Sequence, residues 1–186
     1  MALSTLIAIG GGGATHGTHP ELDRLCLDHA GARRRVGFVG TAGGDDPEKY
    51  GRFRRAFADA GATVSRLDPD WDRARARDWA GTLDLIYVGG GNPVTLIERW
   101  ADTGIGAELI AAWRRGVTLA GVSAGAMCWF DRFLWRAGAE GLQLAAGLGL
   151  IEGTMTPHSL AEPDRRAHLA RLAGAVAIPG ALAAVS

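Results

Sequence analysis

Short, almost wholly apolar stretches alternate with stretches of helical pattern along this chain, and this alternation most constrains its fold. The apolar stretches are predicted strands at residues 6–9, 36–39, 62–67, 83–88 and 117–120. Predicted helices lie at residues 20–29, 48–60, 71–79, 94–100 and 105–115. Near-continuous apolar strands are typical of a parallel sheet that is covered on both faces. The pattern therefore predicts an α/β fold, a doubly wound and mostly parallel sheet flanked by helices.

Glycine-rich or polar segments follow four of these strands. They comprise residues 10–13, 40–46 and 89–92, together with the turn that contains Ser123. All four should meet at one edge of the sheet, where doubly wound sheets bind their ligands. The first segment lacks the G-x-G-x-x-G pattern of dinucleotide-binding proteins, because Thr15 and His16 stand where the third glycine is required. It is either a loop beside an active site or a plain flexible turn.

The sequence Gly121-Val-Ser123-Ala-Gly125 has the G-x-S-x-G pattern of a nucleophile elbow. In such an elbow a tight turn from a strand into a helix exposes the serine hydroxyl, and the backbone comes too close for a Cβ two positions on either side. The first N–H groups of the helix, predicted here to run through residues 127–130, can face a developing oxyanion. The pattern alone is weak evidence in a chain with 28 glycines, because a purely structural turn can produce it.

His158 is the best-placed base for a serine nucleophile among the five histidines. It follows a strand-like run at residues 148–151 and comes directly after Pro157, which restricts the approach of the chain. His29 and His168 lie in helical patterns and are predicted at the surface. An exposed loop histidine without a catalytic role is the alternative for His158.

Composition narrows the partners and the compartment. The 20 basic residues balance 20 acidic ones, so neither nucleic acid nor an anionic membrane is an expected partner. Cys26 and Cys128 lie far apart in apolar patterns, which indicates reduced core thiols in a cytoplasmic protein. His16 and His19 have no third ligand, so a solvated loop is favoured over a metal site, and no cofactor is predicted. The first ten residues are interpreted as a strand and not as a signal peptide.

Three ordered motifs make the sequence resemble the peptidase E family of serine peptidases, family S51. They are Tyr87-Val-Gly-Gly-Gly-Asn92, Gly121-Val-Ser-Ala-Gly-Ala126 and Thr156-Pro-His158, with Gly147-Leu-Gly-Leu150 ahead of the last. The resemblance covers most of the chain and includes the spacing of the motifs. It implies a fold similar to class I glutamine amidotransferases, with serine in place of their elbow cysteine. It also implies a serine exopeptidase, a dipeptidase or aminopeptidase, acting on short peptides.

The resemblance implies a role for each residue of these motifs that carries chemistry. Ser123 would be the nucleophile and His158 the general base. The backbone N–H groups of Gly91 and Ala124 would form the oxyanion hole, and Asn92 would lie in the substrate pocket. The residues themselves agree, because Gly91 follows a neighbouring strand and Ala124 opens the elbow helix. Each such donor lowers the barrier by roughly 3 to 4 kcal/mol.

The acid that should orient His158 is not fixed by the motifs. The resemblance implies an acid between the serine and the histidine, but counting back from His158 leads to Arg136. Glu140 is preferred because it lies on a predicted loop, whereas Asp131 would lie about 12 Å along a continuous elbow helix. Glu152 is a third candidate, and a Ser-His dyad without an acid would keep part of the activity.

Specificity and domain extent complete the predictions. Aspartyl dipeptidases of this family pair an arginine after the histidine with the acidic side chain of the substrate, a task that suits the guanidinium. Arg165 and Arg166 are the candidates. The alternative is that both are solvated residues at a helix start. The substrate therefore either carries N-terminal Asp or has a less restricted N-terminal residue.

Residues 1–186 are predicted to form one domain, monomeric or homodimeric. The family's further C-terminal strands are expected to be absent or cut away after residues 175–180.

Two other functions stay open. An esterase of the α/β-hydrolase type fits the elbow, but only 35 residues separate Ser123 from His158, whereas that fold places its histidine after further strands. A non-catalytic ligand-binding protein of the same fold would account for the unassigned acid and for the early end of the sequence. Assays of the protein and its Ser123→Ala variant on dipeptides and amino-acid p-nitroanilides distinguish these functions from a serine peptidase.

Overall fold

The computed structural model describes residues 5–172, 175–177 and 183–185. Its strands are β1 (Leu6–Ile9), β2 (Arg35–Val39), β3 (Thr63–Arg66), β4 (Leu85–Val88), β5 (Thr118–Val122), β6 (Phe130–Arg136), β7 (Leu142–Ala146), β8 (Ile151–Thr156), β9 (Ala175–Ala177) and β10 (Ala183–Val185). Its α-helices are α1 (Pro20–Asp28), α2 (Pro47–Asp59), α3 (Arg73–Ala80), α4 (Pro93–Thr103), α5 (Ile105–Arg114), α6 (Ala124–Met127) and α7 (Pro163–Leu169). Short 3-10 turns lie at Thr41–Gly43 and Gly138–Glu140.

The first five strands form a parallel sheet in the order β1-β5-β4-β2-β3, which β10 extends antiparallel to β1. An apolar cluster on one face includes Leu22 of α1 and Phe53 of α2. The cluster on the other face includes Leu109 of α5 and the neighbouring rings of Trp100 and Trp129, tilted by 39°. Helices thus cover both faces, and the predicted α/β fold with a doubly wound, mostly parallel sheet is confirmed.

The register of the sheet brings the carboxyl ends of the central strands together. Ile9 at the end of β1 lies beside Val122 at the end of β5. Val88 at the end of β4 lies between Gly121 of β5 and Val39 of β2. The segments that follow β1, β2, β4 and β5 therefore meet at one edge, as the alternation of strands and helices predicts.

The start of α4, the helix after β4, is fixed by its N-cap residue and by the proline that follows it. Asn92 is the N-cap of α4, and its Oδ1 accepts the N–H groups of Val94 and Thr95 at 2.9 and 3.2 Å. Pro93 occupies the first helical position, where no N–H is needed. The α2 helix begins in the same way after the N-cap Asp46. Both loops at the sheet edge therefore end at a defined residue.

The predicted helix through residues 127–130 is wrong. The α6 helix ends at Met127, and β6 begins at Phe130. Leu148 and Leu150 donate their N–H groups to the carbonyls of Cys128 and Trp129, both at 2.8 Å. These carbonyls are therefore occupied by a distant segment and not by the next turn of a helix, and the aromatic residues of β6 favour a strand.

The segment after the elbow forms a second sheet that the sequence analysis does not predict. Its order is β7-β6-β8-β9, with β7 antiparallel to β6 and the other pairs parallel. The run at residues 148–151 leads into β8, which ends two residues before His158. In the C-terminal region, where the family's further strands are expected to be missing, β9 extends this sheet and β10 the first one. None of the helices among the described residues has the length and apolarity to cross a membrane.

Candidate active site

Ser123 lies at a strained turn between β5 and α6. Its φ and ψ angles are 53° and −114°, a conformation that L-residues rarely adopt. Its N–H donates to the Ile9 carbonyl at 2.9 Å, and its carbonyl accepts the N–H of Met127 at 2.9 Å. The backbone on both sides of the serine is thus held by the sheet and by the helix, which is the geometry of a nucleophile elbow.

The two glycines of the elbow are required by close backbone contacts. A Cβ at Gly121 would collide with the Gly125 carbonyl, and a Cβ at Gly125 would collide with the Val88 carbonyl. The side-chain-free positions on either side of Ser123 therefore allow α6 to pack directly against the ends of β4 and β5, as the G-x-S-x-G pattern predicts.

His158 contacts the serine hydroxyl. Its Nε2 lies 3.0 Å from Ser123 Oγ, so the hydroxyl can donate to an unprotonated Nε2. The imidazole is half-buried, and the residue has a φ of 56° directly after Pro157. Its N–H donates to the Gly10 carbonyl at 3.3 Å, which places the end of β8 against the loop after β1. The structure therefore brings together two residues that are 35 positions apart.

The surroundings of His158 favour the neutral imidazole. Burial is the largest cause that lowers its pKa from the ordinary value, and the positive charge of Arg165 lowers the pKa further. The carboxylate of Glu162 acts in the opposite direction, and His16 contributes to the lowering. A neutral imidazole at pH 7 can accept the proton of the serine hydroxyl, as a general base must.

Two backbone N–H groups beside the serine, those of Gly91 and Ala124, are the predicted donors of an oxyanion hole. Gly91 has a φ of 155°, and a Cβ there would collide with the Ala42 carbonyl. Within the described residues the Gly91 N–H makes no hydrogen bond. Ala124 is the first residue of α6, where N–H groups have no intrahelical acceptor. The Cβ of Ser123 lies 3.3 Å from a Cβ built on Gly90, which places the loop after β4 against the nucleophile.

The structure brings neither preferred acid into contact with His158. Asp131 lies on β6, not on a helix, and its Oδ2 accepts the Gly153 N–H at 3.1 Å. Glu140 is exposed in the 3-10 turn between β6 and β7. Glu152 is exposed on β8. Across the described part of the chain, the imidazole has no hydrogen bond to a carboxylate.

Glu162 is the acidic residue near His158 that the sequence analysis does not consider. Its N–H donates to the His158 carbonyl at 2.9 Å, one turn further along the chain. Its Oε2 accepts from Nε and Nη2 of Arg136 at 3.0 and 2.8 Å. Burial opposes ionisation of Glu162, but Arg165 and Arg136 together lower its pKa. The only local signal is its position four residues after the histidine and directly before Pro163.

The two predicted specificity arginines occupy different environments. Arg165 is only 6% exposed, and its Nη1 donates to the Leu134 carbonyl at 3.2 Å and to Thr156 Oγ1 at 3.4 Å. Its Nε lies 2.9 Å from Glu162 Oε2 as an ion pair. Arg166 is exposed on α7. The position of Arg165 therefore favours a structural role for its guanidinium over contact with a substrate.

A cleft of about 640 Å³ opens beside Gly91, and we call it the hairpin cleft. One wall is the loop after β4, with Gly91, Asn92 and Pro93. The other wall is the β6–β7 hairpin, with residues 135–138 and Glu140. Because Oδ1 of Asn92 caps α4, its amide nitrogen is the end left for other partners. The volume is in the range of sites that hold small ligands.

The described residues contain no group of three His, Cys, Asp or Glu side chains that could hold a metal ion. Nδ1 of His19 contacts Glu21 Oε1 at 3.0 Å, and Nδ1 of His16 lies 3.2 Å from the Gly12 carbonyl. Cys26 and Cys128 are buried free thiols, as the apolar patterns around them predict.

Sequence comparisons identify relatives among peptidases. The model of peptidase family S51 matches residues 6–181. The uncharacterized peptidase YgaJ of Bacillus subtilis (strain 168) is 35% identical over 170 residues, which cover 88% of this chain and 72% of that protein. Peptidase E of Streptomyces coelicolor (strain ATCC BAA-471 / A3(2) / M145) is 38% identical over 94 residues, which cover 50% of this chain and 37% of that protein.

Solved structures share the fold. A peptidase from an acI-B1 Actinobacterium superposes with a TM-score of 0.76 at 21% identity, over 99% of this chain and 83% of that one. A Listeria monocytogenes EGD-e protein assigned to peptidase E superposes with a TM-score of 0.67 at 20% identity, over 89% of this chain and 84% of that one. At these identities the likeness extends to the fold alone.

Proposed function

Since the chain belongs to peptidase family S51, we propose that it is a serine exopeptidase that hydrolyses short peptides through an acyl-enzyme formed on Ser123. The observation that carries this proposal is the contact of 3.0 Å between Ser123 Oγ, on a strained turn, and His158 Nε2. A partly accessible hydroxyl at an elbow and a neutral imidazole within hydrogen-bond reach are the two parts that nucleophilic catalysis by serine needs.

The acylation step follows from these positions. Ser123 Oγ attacks the carbonyl carbon of the scissile peptide bond while Nε2 of His158 takes the hydroxyl proton. The carbonyl oxygen of the substrate becomes an oxyanion that the N–H groups of Gly91 and Ala124 stabilise. The imidazolium then gives its proton to the nitrogen of the leaving group, and the C–N bond breaks. The N-terminal part of the peptide remains as an ester on Ser123.

Deacylation uses the same groups with water as the nucleophile. His158 takes a proton from the water, whose oxygen attacks the ester carbonyl, and the second oxyanion occupies the same two N–H groups. The imidazolium returns the proton to Ser123 Oγ as the ester bond breaks, so the free enzyme is restored. The pair can work as a dyad with Glu162 acting on the imidazole through its charge, since serine peptidases without their orienting acid keep part of their activity.

The dimensions of the hairpin cleft support short substrates. A volume of about 640 Å³ accommodates a small ligand and not a folded protein chain. A preference for N-terminal Asp would require a guanidinium that is free to bind the acidic side chain. Of the predicted pair, the exposed Arg166 meets this condition, whereas Arg165 is engaged by Leu134 and Glu162.

The decisive experiment compares the protein with its Ser123→Ala and His158→Ala variants on dipeptides and amino-acid p-nitroanilides that differ in the N-terminal residue. We expect each variant to lose at least a thousandfold in kcat/KM, because nucleophile and base act as a unit. Covalent labelling of the parent protein, but not of Ser123→Ala, by a fluorophosphonate would identify the nucleophile directly. Equal rates for parent and Ser123→Ala would instead favour the non-catalytic ligand-binding alternative.

A further inference from the structure

Glu140 stands in the hairpin cleft with an uncompensated charge. Only two of the residues that line this cleft are charged, Arg136 and Glu140. The exposed carboxylate of Glu140 has no hydrogen bond and no ion pair within the described residues. Its backbone is held, because the Glu140 N–H donates to the Ala137 carbonyl at 3.1 Å and Gln143 Nε2 donates to the Glu140 carbonyl at 3.3 Å.

The charge of Arg136 is compensated by two carboxylates behind the cleft. Its Nε and Nη2 donate to Glu162 at 3.0 and 2.8 Å, and Nη2 also donates to Asp164 at 2.8 Å. Those hydrogen bonds raise the pKa of Arg136, with the bond to Asp164 as the largest cause. An anionic ligand would meet the negative charges of these two carboxylates beside the guanidinium and would also face Glu140. A positively charged ligand would not be repelled by these carboxylates or by Glu140.

We propose that Glu140 binds an ammonium group of the substrate and thereby makes the hairpin cleft selective for cationic peptides, an inference that rests on the proposed peptidase activity. The proposal rests on two residues that line the same cleft: the unpaired carboxylate of Glu140 on one wall, and the backbone of Gly91, the proposed oxyanion donor, on the other. In a substrate cleaved after its first residue, the α-ammonium group is two bonds from the scissile carbonyl carbon. A carboxylate that binds the α-ammonium group must therefore lie close to the oxyanion donors, and Gly91 is the residue that the cleft shares with the proposed oxyanion hole.

The indole of Trp135 and the amide of Asn92 fit this assignment. Trp135 lines the cleft beside Arg136, and an aromatic ring attracts a nearby ammonium group through its quadrupole. The free amide nitrogen of Asn92 can donate to a carbonyl of the bound peptide. A lysine side chain is a second source of the same ammonium chemistry. Specificity then depends on Glu140 and not on an arginine.

The test measures binding and catalysis separately with Glu140→Gln, which removes the charge and keeps the size of the side chain. In the Ser123→Ala background, calorimetry compares Leu-Ala, N-acetyl-Leu-Ala and Lys-Ala with and without Glu140→Gln. We expect Glu140→Gln to weaken Leu-Ala at least tenfold and to leave N-acetyl-Leu-Ala unchanged. A loss that is limited to Lys-Ala would assign the carboxylate to the lysine side chain, which also supports the proposal.

Glu98→Gln is the matched control, because Glu98 is an exposed glutamate on α4 outside the lining of the cleft. It should change none of these affinities. Glu140→Gln with all three affinities unchanged, or reduced equally, would overturn the proposal. Because binding is read without turnover, this failure is distinct from failure of the peptidase mechanism, which fluorophosphonate labelling of the parent protein reports. A drop in kcat for every substrate, with binding intact, would instead assign Glu140 to the acid role beside His158.

Discussion

Replacing Arg165 by methionine should both destabilise the protein and change the pH dependence of catalysis. The guanidinium is 6% exposed and donates to the Leu134 carbonyl at 3.2 Å and to Thr156 Oγ1 at 3.4 Å. Methionine keeps the apolar stem and removes both hydrogen bonds and the ion pair with Glu162. Breaking a buried pair costs about 3 to 5 kcal/mol when it leaves a charge uncompensated.

The expected cost here is smaller because the partners of Arg165 keep other contacts. Glu162 still accepts two hydrogen bonds from Arg136, and the Leu134 carbonyl still accepts from Thr156 Oγ1 at 2.9 Å. We therefore expect a loss of about 2 to 3 kcal/mol in the free energy of unfolding, within the range of about 1.5 to 3 kcal/mol for hydrogen bonds to charged groups. Urea unfolding of parent and variant measures it. The neighbouring exposed Arg166→Met should stay within about 0.5 kcal/mol.

Arg165→Met should also change the pH dependence of catalysis, because it removes a positive charge near His158. The positive charge of Arg165 lowers the pKa of His158, so its removal should raise that pKa towards the ordinary value. The general base must be unprotonated, and the acid limb of the pH profile of kcat/KM follows the pKa of the free enzyme. Arg165→Met should therefore move this limb to higher pH. A limb that stays in place or moves to lower pH would refute the placement of Arg165 beside the imidazole.

Three further outcomes follow from the same contacts. Glu162→Gln removes the charge that raises the pKa of His158, so the acid limb of kcat/KM should move to lower pH, opposite to Arg165→Met. Gly91→Ala should lower kcat about a hundredfold, because the new Cβ would collide with the Ala42 carbonyl and displace an oxyanion donor. Gly90→Ala is the control: its Cβ would meet the nearest atoms at 3.3 Å, so kcat should fall less. Equal losses of kcat in the two variants would contradict the oxyanion role of Gly91. If N-terminal Asp is preferred through the exposed arginine, Arg166→Ala should raise KM for Asp-Leu and leave KM for Leu-Leu unchanged, and an equal change in both would exclude that role.

Local patterns are enough to predict the sheet and the elbow. Near-continuous apolar runs mark β1, β2, β4 and β5, because a strand buried on both faces has no polar position. The glycine pattern around Ser123 also spans only five residues: a Cβ at Gly121 would meet the Gly125 carbonyl of the same turn, whereas a Cβ at Gly125 would meet the Val88 carbonyl of the neighbouring strand β4. The α/β fold and the family assignment followed from these patterns and their order.

Local sequence patterns could not predict the second sheet or the charges that surround the imidazole of His158. The chain leaves the helix after Met127, where residues 148–151 donate N–H groups to the carbonyls of Cys128, Trp129 and Phe130, and no pattern near the elbow records that pairing. Similarly, the environments of Glu162 and Arg165 depend on contacts between β6 and the chain around α7, made by Arg136 and by the Leu134 carbonyl.

The sequence by itself therefore determined the strands of the parallel sheet and the tight turn at Ser123 and singled out His158 as the candidate base, because each of these depends on side-chain size or polarity within a few residues. Only the tertiary structure decided which charges surround the imidazole. The Arg136–Glu162 contact joins residues 26 positions apart, and it depends on how two elements dock. The fold also brings Glu140, which has no side-chain hydrogen bond or ion pair within the described residues, into the cleft that Gly91 lines, where we propose that the substrate's ammonium group binds.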